Sequence, residues 1–458
     1  MSQQDIQTRS AALHCKGRKF RDSGCIDDAI ACYQEAIALA PDNIAAYRDF
    51  LLAILYSSRW NNTERFEEHL KFARLHTPVM HRNLNDGSPA LPDRRLRIGY
   101  LSCNFADHPV GRNLAPVLLH RNRQAFEAVC FAEVDEPDAF GRNLLDSADR
   151  WIRTTDRNDT EVAALIAAER IDILVVLAGH LDRNRLTVAA HRPAPIQISY
   201  HDAATSGLAA MDYLLTDRFL CPPNGTEQFT ERLLRLPSLM YMAPLPAKLM
   251  PERPADAPLV FANLNAPAKL TEPVIAAWAE ILRTLPQARL LFRHRDAYAM
   301  PDCRENLSAA FARHGVYPTQ LDFRGGTGGD PLDIYHDVDV VLDSFPFSGS
   351  TTTFESLWMG VPVVTLPTDS MVGRWSAAIL SAAGRQGWIA RDRSDYVQLS
   401  LALARDRQAI RKDLRRGQFR DHLQAVLCNG PRKAAQLERL YRAVWARWRS
   451  VDKSKPSL

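Results

Sequence analysis

The sequence has no CxxC pair, no apolar run of membrane-spanning length and no large excess of either charge. Each absence removes a class of function. Its eight cysteines (Cys15, Cys25, Cys32, Cys103, Cys130, Cys221, Cys303 and Cys428) are scattered, with neither zinc-site spacing nor a disulfide framework, which fits reduced thiols in a cytoplasm. A net charge of +4 over 458 residues is too small to argue for a nucleic-acid partner. No stretch approaches the ~20 apolar residues that cross a bilayer, so no membrane span is expected. The start, Met1-Ser-Gln-Gln-Asp-Ile6, lacks a basic-then-apolar pattern, so no signal peptide is expected and the location read from the sequence is cytoplasmic. What remains, at 46% hydrophobic and 24% charged residues, is a globular chain long enough for about three domains.

The first 57 residues carry a repeat phase. Leu13, Gly17, Phe20, Ala29, Tyr33, Ala36 and Pro41 match the tetratricopeptide order of large, glycine, aromatic, alanine, aromatic, alanine and proline, and one period further on a second unit begins at Tyr47. One and a half units cannot bury a solenoid core alone, so they are expected to pack as a cap on the next domain along the chain. Residues 58–94 read as a helix followed by the turn-rich linker Asn83–Asp93. Strand and helix signals then alternate across 95–240: Leu96–Ser102, Ala128–Ala132 and Asp172–Leu177 are strand-like, and Glu161–Glu169 is helical. That alternation predicts a Rossmann-like, doubly wound parallel sheet. A stretch with Pro237, Pro244, Pro246 and Pro251 reads as a linker into a second alternating set over 241–430. Seven basic residues between Arg405 and Arg420 read as a solvated face, because nucleic acid calls for interleaved aromatics. Residues 431–458 read as an amphipathic helix docked on the body, with a frayed tail.

One stretch organises the rest. Val338–Asp343 is a short apolar strand, Pro346 and Gly349 mark a turn, Ser350–Thr353 are four hydroxyl residues, and Phe354–Met359 has helical spacing closed by Gly360 and Pro362. A strand, a tight loop and a helix N-terminus make an anion site, since the first turn leaves N–H groups unpaired at the positive end of the dipole. Gly349 admits close backbone approach, and Ser350, Thr351 and Thr352 add hydroxyl donors. Glu355, one turn on, is placed for ribose hydroxyls. The alternative is an ordinary Ser/Thr N-cap, and spacing alone weighs the two evenly. Lys269 lies in a loop after a strand, where an ammonium could meet a diphosphate, although a lysine taken by itself reads as a solvated surface residue. His108 and His180 each follow a strand, at the edge where such sheets bind ligands.

The motifs Leu96-Arg-Ile-Gly-Tyr-Leu-Ser102, Asn104-Phe-x-x-His108-Pro109, Gly179-His180, Arg192-Pro-Ala-Pro-Ile-Gln197, Thr205-Ser-Gly207, Met211-Asp-Tyr213, Asn263-x-Asn-x-x-x-Lys269 and Gly349-x-Thr-Thr352 occur in one order along the chain. Together they resemble the O-GlcNAc transferase/SPINDLY family of protein glycosyltransferases. The resemblance implies a GT-B fold of two Rossmann-like domains behind a short tetratricopeptide segment. It also implies an inverting transfer without metal or other cofactor, from a UDP-sugar, most often UDP-GlcNAc, to Ser or Thr hydroxyls of a protein or peptide partner. Carried onto this chain, Lys269 holds the diphosphate and stabilises the leaving group, with Asn263 in the same motif. Gly349, Ser350, Thr351 and Thr352 cradle the phosphates, and Glu355 binds ribose. His108 and His180 line the sugar and acceptor side, where either has the reference pKa of a general base.

The chain departs from the family pattern at Ser350 in place of histidine, Ser348 in place of asparagine, Asp330-Pro331 in place of Glu-His, and His201-Asp-Ala-Ala204 in place of Gly-Tyr-Pro-Gly. These departures keep UDP-glucose and GDP-fucose open as donors. They also leave open a catalytically weak nucleotide-binding protein that uses its helical cap for interactions.

Overall fold

The computed structural model describes residues 2–77, 94–246, 248, 253–254, 256–326 and 329–452. The linker Asn83–Asp93, Pro251 and the tail from Lys453 on lie outside the described residues. The chain divides into two compact units, one of residues 66–243 with 429–458 and one of residues 1–65 with 244–428.

The first of these is built on a seven-stranded, wholly parallel sheet. Its strands are β1 (Leu96–Ser102), β2 (Phe126–Ala132), β3 (Arg150–Arg153), β4 (Ile173–Leu177), β5 (Ile196–Tyr200), β6 (Tyr213–Asp217) and β7 (Arg232–Leu236), in the order β3-β2-β1-β4-β5-β6-β7. The direction of travel across the sheet reverses between β1 and β4, and the carboxyl ends at such a switch point open a crevice. Val129, Phe131, Leu174 and Val176 pack against Val162 and Ile166 of the helix Asp159–Ala168. These central strands are buried on both faces and so read as unbroken apolar runs. The helix Gly430–Asp452 docks here as its pattern predicts: Leu437, Tyr441 and Val444 are buried, and Arg442 donates to the carbonyls of Arg94 and Ala125.

The second unit carries β8 (Val260–Asn263), β9 (Arg289–Arg293), β10 (Leu321–Arg324), β11 (Val340–Leu342) and β12 (Val363–Val364), all parallel, in the order β10-β9-β8-β11-β12. Its switch point lies between β8 and β11. The core is aromatic: Trp278 on the helix Glu272–Thr284 is fully buried and donates its indole N–H to the Tyr396 hydroxyl at 3.0 Å. Tyr396 in turn donates to the Asp343 carbonyl at 2.8 Å, tying the core to the loop after β11.

The N-terminal helices group with this second unit and not with the next domain along the chain, which corrects the expectation from the sequence. Helices Gln3–Asp22 and Ile26–Leu39 form a hairpin through Gly24, whose φ of +86° is the left-handed turn that glycine takes without strain. Ala29, Tyr33 and Ala36 of the repeat phase are fully buried. Gly17 meets the Tyr33 ring so closely that a Cβ there would lie 2.5 Å from it.

A second sequence expectation fails. The basic run after Arg405 is not one solvated face: it is broken into the helices Arg407–Leu414 and Gly417–Leu427, and Arg411 is buried. The cause is Asp339, a buried carboxylate at the start of β11. It draws Arg253, Arg407 and Arg411 to within 3.5–3.8 Å, because a buried carboxylate needs paired charge. No helix among the described residues is long and apolar enough to cross a membrane.

Candidate functional site

At the switch point of the five-stranded sheet, two loops converge. The loop after β8 ends in a short 3-10 turn, Pro267–Lys269, and the loop after β11 runs into the helix Thr351–Trp358. Lys269 points its ammonium at the second loop, donating to the Ser348 carbonyl at 2.8 Å and to Asn265 Oδ1 at 3.2 Å, 4.7 Å from the centre of the Phe347 ring. Thr352 donates to the same Asn265 oxygen at 3.3 Å, so Asn265 joins the cation to the helix start. Burial pushes the Lys269 ammonium down to about 8, and the nearby Asp343 carboxylate opposes that shift.

Asp343 organises the loop. It is 1% exposed and accepts from the Gly349 amide at 2.7 Å, from Thr365 Oγ1 at 2.7 Å and from Asn265 Nδ2 at 3.2 Å. Burial pushes its carboxyl up, and Thr365, Ser376, the Lys269 ammonium and the Gly349 amide pull it back. Gly349 is needed for close approach: a Cβ would lie 2.8 Å from Thr353 Oγ1, 2.9 Å from Thr352 Oγ1 and 3.0 Å from Asp343 Oδ1. Ser350 starts the helix with φ −145° and makes no side-chain capping bond, so the ordinary N-cap alternative is not what the loop builds. A cation, a helix N-terminus and several hydroxyls therefore surround one point at the strand ends, which is an arrangement for an anionic phosphate.

Of the residues expected from the sequence, Lys269, Gly349, Ser350, Thr351 and Thr352 are gathered here, with Glu355 one turn along the helix. Glu355 accepts from the Tyr335 hydroxyl at 3.2 Å. Asn263 is fully buried beneath the loop, where its amide donates to Tyr298 and its Oδ1 accepts the Asn265 amide. It braces the corner, and Asn265 is the asparagine beside Lys269. Sequence reading missed Asn265, Asp343, Tyr335 and His294. The alternation Asn263-x-Asn265 was the available signal for the first. His294 follows β9; burial holds its imidazole neutral, down to about 4, with Arg295 and Lys269 adding to the effect.

A separate cluster lies at the carboxyl edge of the seven-stranded sheet. His108, after β1, caps the helix Pro109–His120 by accepting the Val110 amide on Nδ1 at 3.3 Å, and its Nε2 lies 3.7 Å from Asp182 Oδ2. His180, after β4, is 6% exposed, and its Nε2 lies 2.9 Å from the Ser206 carbonyl oxygen. Its ring is edge-on to Phe72 and His69, at 4.8 and 5.2 Å. Both histidines thus flank the switch point. A third, His201 after β5, went unnoticed as a site residue. It has φ +60°, stacks on Tyr200 at 3.8 Å, and is driven down to about 3 by burial, with Lys433 and His108 adding to the effect.

A family model described as glycosyl transferase family 41 matches residues 71–245 and 245–437. The chain belongs to glycosyltransferase family 41. A TPR repeat model matches residues 17–50 of this family-41 chain. It is 30% identical over 441 residues to the probable UDP-N-acetylglucosamine–peptide N-acetylglucosaminyltransferase SPINDLY of Oryza sativa, covering 94% of this chain and 47% of the rice protein. It is 31% identical over 425 residues to the Arabidopsis thaliana SPINDLY, covering 89% of this chain and 46% of that one. The chain thus spans about half the length of the curated relatives it matches. Among solved structures it is similar to a point mutant of Thermobaculum terrenum O-GlcNAc transferase, with a TM-score of 0.88 and 34% identity over 97% of this chain and 85% of that one. The family-41 fold is the GT-B arrangement expected from the motifs: two Rossmann-like units and a helical repeat segment.

Proposed function

We propose that this chain transfers a sugar, GlcNAc from UDP-GlcNAc, to the hydroxyl of a protein or peptide side chain, with inversion and without a divalent metal. The observation that carries the reading is the Lys269–Asn265–Thr352 link, which sets an ammonium beside the N-terminus of the helix Thr351–Trp358. In glycosyl transfer from a nucleotide sugar, negative charge develops on the departing diphosphate. A preorganised ammonium and helix dipole stabilise that charge where other enzymes use a metal ion. In this reading the backbone at Gly349–Thr352 holds the phosphates and Glu355, oriented by Tyr335, takes the ribose hydroxyls. His108 and His180 line the acceptor side. The GlcNAc assignment rests on the names of the plant relatives, and the cytosolic setting on the scattered spacing of the eight cysteines in the sequence.

The test is a metal-free panel of UDP-GlcNAc, UDP-glucose and GDP-fucose with nucleoside diphosphate release as the readout and Lys269→Ala as control. Release from UDP-GlcNAc, lost in the variant, is the expected result. Release from another donor alone reassigns the sugar. Binding of UDP without release from any donor replaces the enzyme reading with a nucleotide-binding one.

A further inference from the structure

The N-terminal helical segment reaches both loops of the candidate phosphate site, and all of these contacts lie inside the second unit. The helices Gln3–Asp22 and Ile44–Tyr56 pack on the 3-10 turn Pro267–Lys269. Gly24, at the tip of the hairpin, comes so near this turn that a Cβ there would lie 3.5 Å from the Pro267 carbonyl oxygen. Tyr56, the last residue of its helix and half-buried, meets the other loop. Its ring centre lies 4.6 Å from that of Phe347, with the planes tilted by 39°. Phe347 directly precedes Ser348, whose carbonyl accepts the Lys269 ammonium.

Three neighbours hold the buried Phe347 ring. The Lys269 ammonium stands over it, 4.7 Å from its centre, Trp375 meets it edge-on at 5.3 Å, and Tyr56 packs on it from the helical segment. The face of an aromatic ring is its negative part, so the place of this ring decides where the ammonium is drawn. Tyr56 is itself fixed from within the segment. Buried Arg65 donates to the carbonyls of Ile54 and Ser57 at 3.2 and 2.9 Å, which closes the end of the helix. The Ser57 hydroxyl donates to Asp27 Oδ1 at 2.9 Å, which ties that end to the helix Ile26–Leu39 of the hairpin.

We propose that Tyr56 is a positioning residue of the nucleotide-sugar site: it holds the Phe347 ring beneath the Lys269 ammonium and so makes the tetratricopeptide segment a part of that site. The inference rests on the reading above in which Lys269 holds the diphosphate of the donor. Tyr56 touches no donor atom in this account and acts through Phe347. One and a half repeat units are too few for a solenoid groove, and this role needs none. It needs only that the hairpin and the third helix be seated on the two loops.

The test compares two ligands on the full chain, UDP by calorimetry and uridine by ligand-observed NMR. Uridine reports the base and ribose contacts and UDP adds the phosphates, so a ring that places the ammonium affects only the second. Tyr56→Ala is expected to weaken UDP binding about tenfold, the loss of a displaced cation–π pair, and to leave uridine binding unchanged. Tyr56→Phe keeps the ring and is expected to restore the UDP affinity. In a Phe347→Leu background, Tyr56→Ala should cost no further UDP affinity, because the two act as one coupled pair. Should Tyr56→Ala fail to fold, Tyr56→Leu, which keeps most of the volume and lacks the ring, carries the same comparisons. UDP affinity unmoved by loss of the ring, equal losses for UDP and uridine, or additive losses in the double variant each overturn the assignment. A wild-type chain that binds UDP but releases none from UDP-GlcNAc ends the glycosyl-transfer reading, and the affinities still decide the role of Tyr56. A wild-type chain that binds no UDP overturns both.

Discussion

The Asp343 carboxylate receives the Gly349 amide at 2.7 Å, six residues further along the chain, and so closes the loop that precedes the helix Thr351–Trp358. Thr365 and Asn265 complete its shell. Replacing it with alanine leaves an amide, a hydroxyl and a carboxamide buried together without an acceptor. A loss of about 2–4 kcal/mol is expected, because orphaned buried partners carry their full desolvation cost. Urea denaturation of Asp343→Ala measures it, alongside a fall in UDP affinity by calorimetry. Unchanged stability and unchanged affinity together would refute the role given to this residue.

On the proposed function, donor binding at Lys269 is expected to be a proton-linked event. Folding lowers its pKa from 10.5 to about 8, chiefly by burial. The folded chain therefore holds fewer protons than the unfolded one between those values, so this group's contribution to stability rises with pH across that window. A bound diphosphate acts in the opposite sense by favouring the charged ammonium. UDP binding near pH 9 should take up about one proton and binding near pH 7 almost none. Calorimetry in two buffers of different ionisation heat reads this directly; equal heats in both buffers at the higher pH would count against it.

Gly349→Ala tests the phosphate loop without touching a charge. A methyl placed 2.8–3.0 Å from Thr353, Thr352 and Asp343 displaces the loop by a fraction of an ångström or more. Misplacement on the 1 Å scale costs on the order of 100-fold in rate. The expected variant is folded, with kcat/KM reduced roughly 100-fold for the nucleotide sugar. Near-native kcat/KM would show that the loop does not set the donor's position.

Tyr396→Phe separates core from site. The hydroxyl it removes accepts from Trp278 and donates to the Asp343 carbonyl, both fully buried. Destabilisation of about 1–3 kcal/mol is expected from the two orphaned groups. Thermal melts with and without UDP are the check: a shift seen only with UDP present would mean that the bond serves binding and not the fold.

Much of this architecture was legible in the sequence, and the parts that were not share a physical cause. β1 was read at its observed bounds, and the buried strands β2, β4 and β11 to within a few residues, because strands covered on both faces are apolar throughout. Of the strands that were not marked, β3, β7 and β10 are sheet edges carrying charged residues, as in Arg150-Trp-Ile-Arg153, and half-exposed edges have no such run; β5 and β6 are buried, but lie in stretches that were read as motifs and not as strands. In the site, Lys269 and the Gly349–Thr352 loop stood out because glycine and hydroxyl spacing implies a backbone geometry. Asp343 and Tyr335 did not. Their places in it come from contacts across 6 and 20 residues of sequence, and no local pattern encodes those.

The division of the chain bears on how it is made. The unit that begins at Phe66 also needs the helix Gly430–Asp452, whereas the unit that begins at the N-terminus needs the segment from Pro244 to Cys428. Neither is a continuous stretch, so vectorial synthesis completes neither from its first segment alone. The helical hairpin reaches the ribosome exit long before the sheet it belongs with, and the seven-stranded sheet waits for its closing helix until residue 452 has been translated. Cutting the gene at residue 243 or 428 therefore yields two incomplete products, and a two-plasmid complementation experiment has to split the polypeptide inside a loop of one unit.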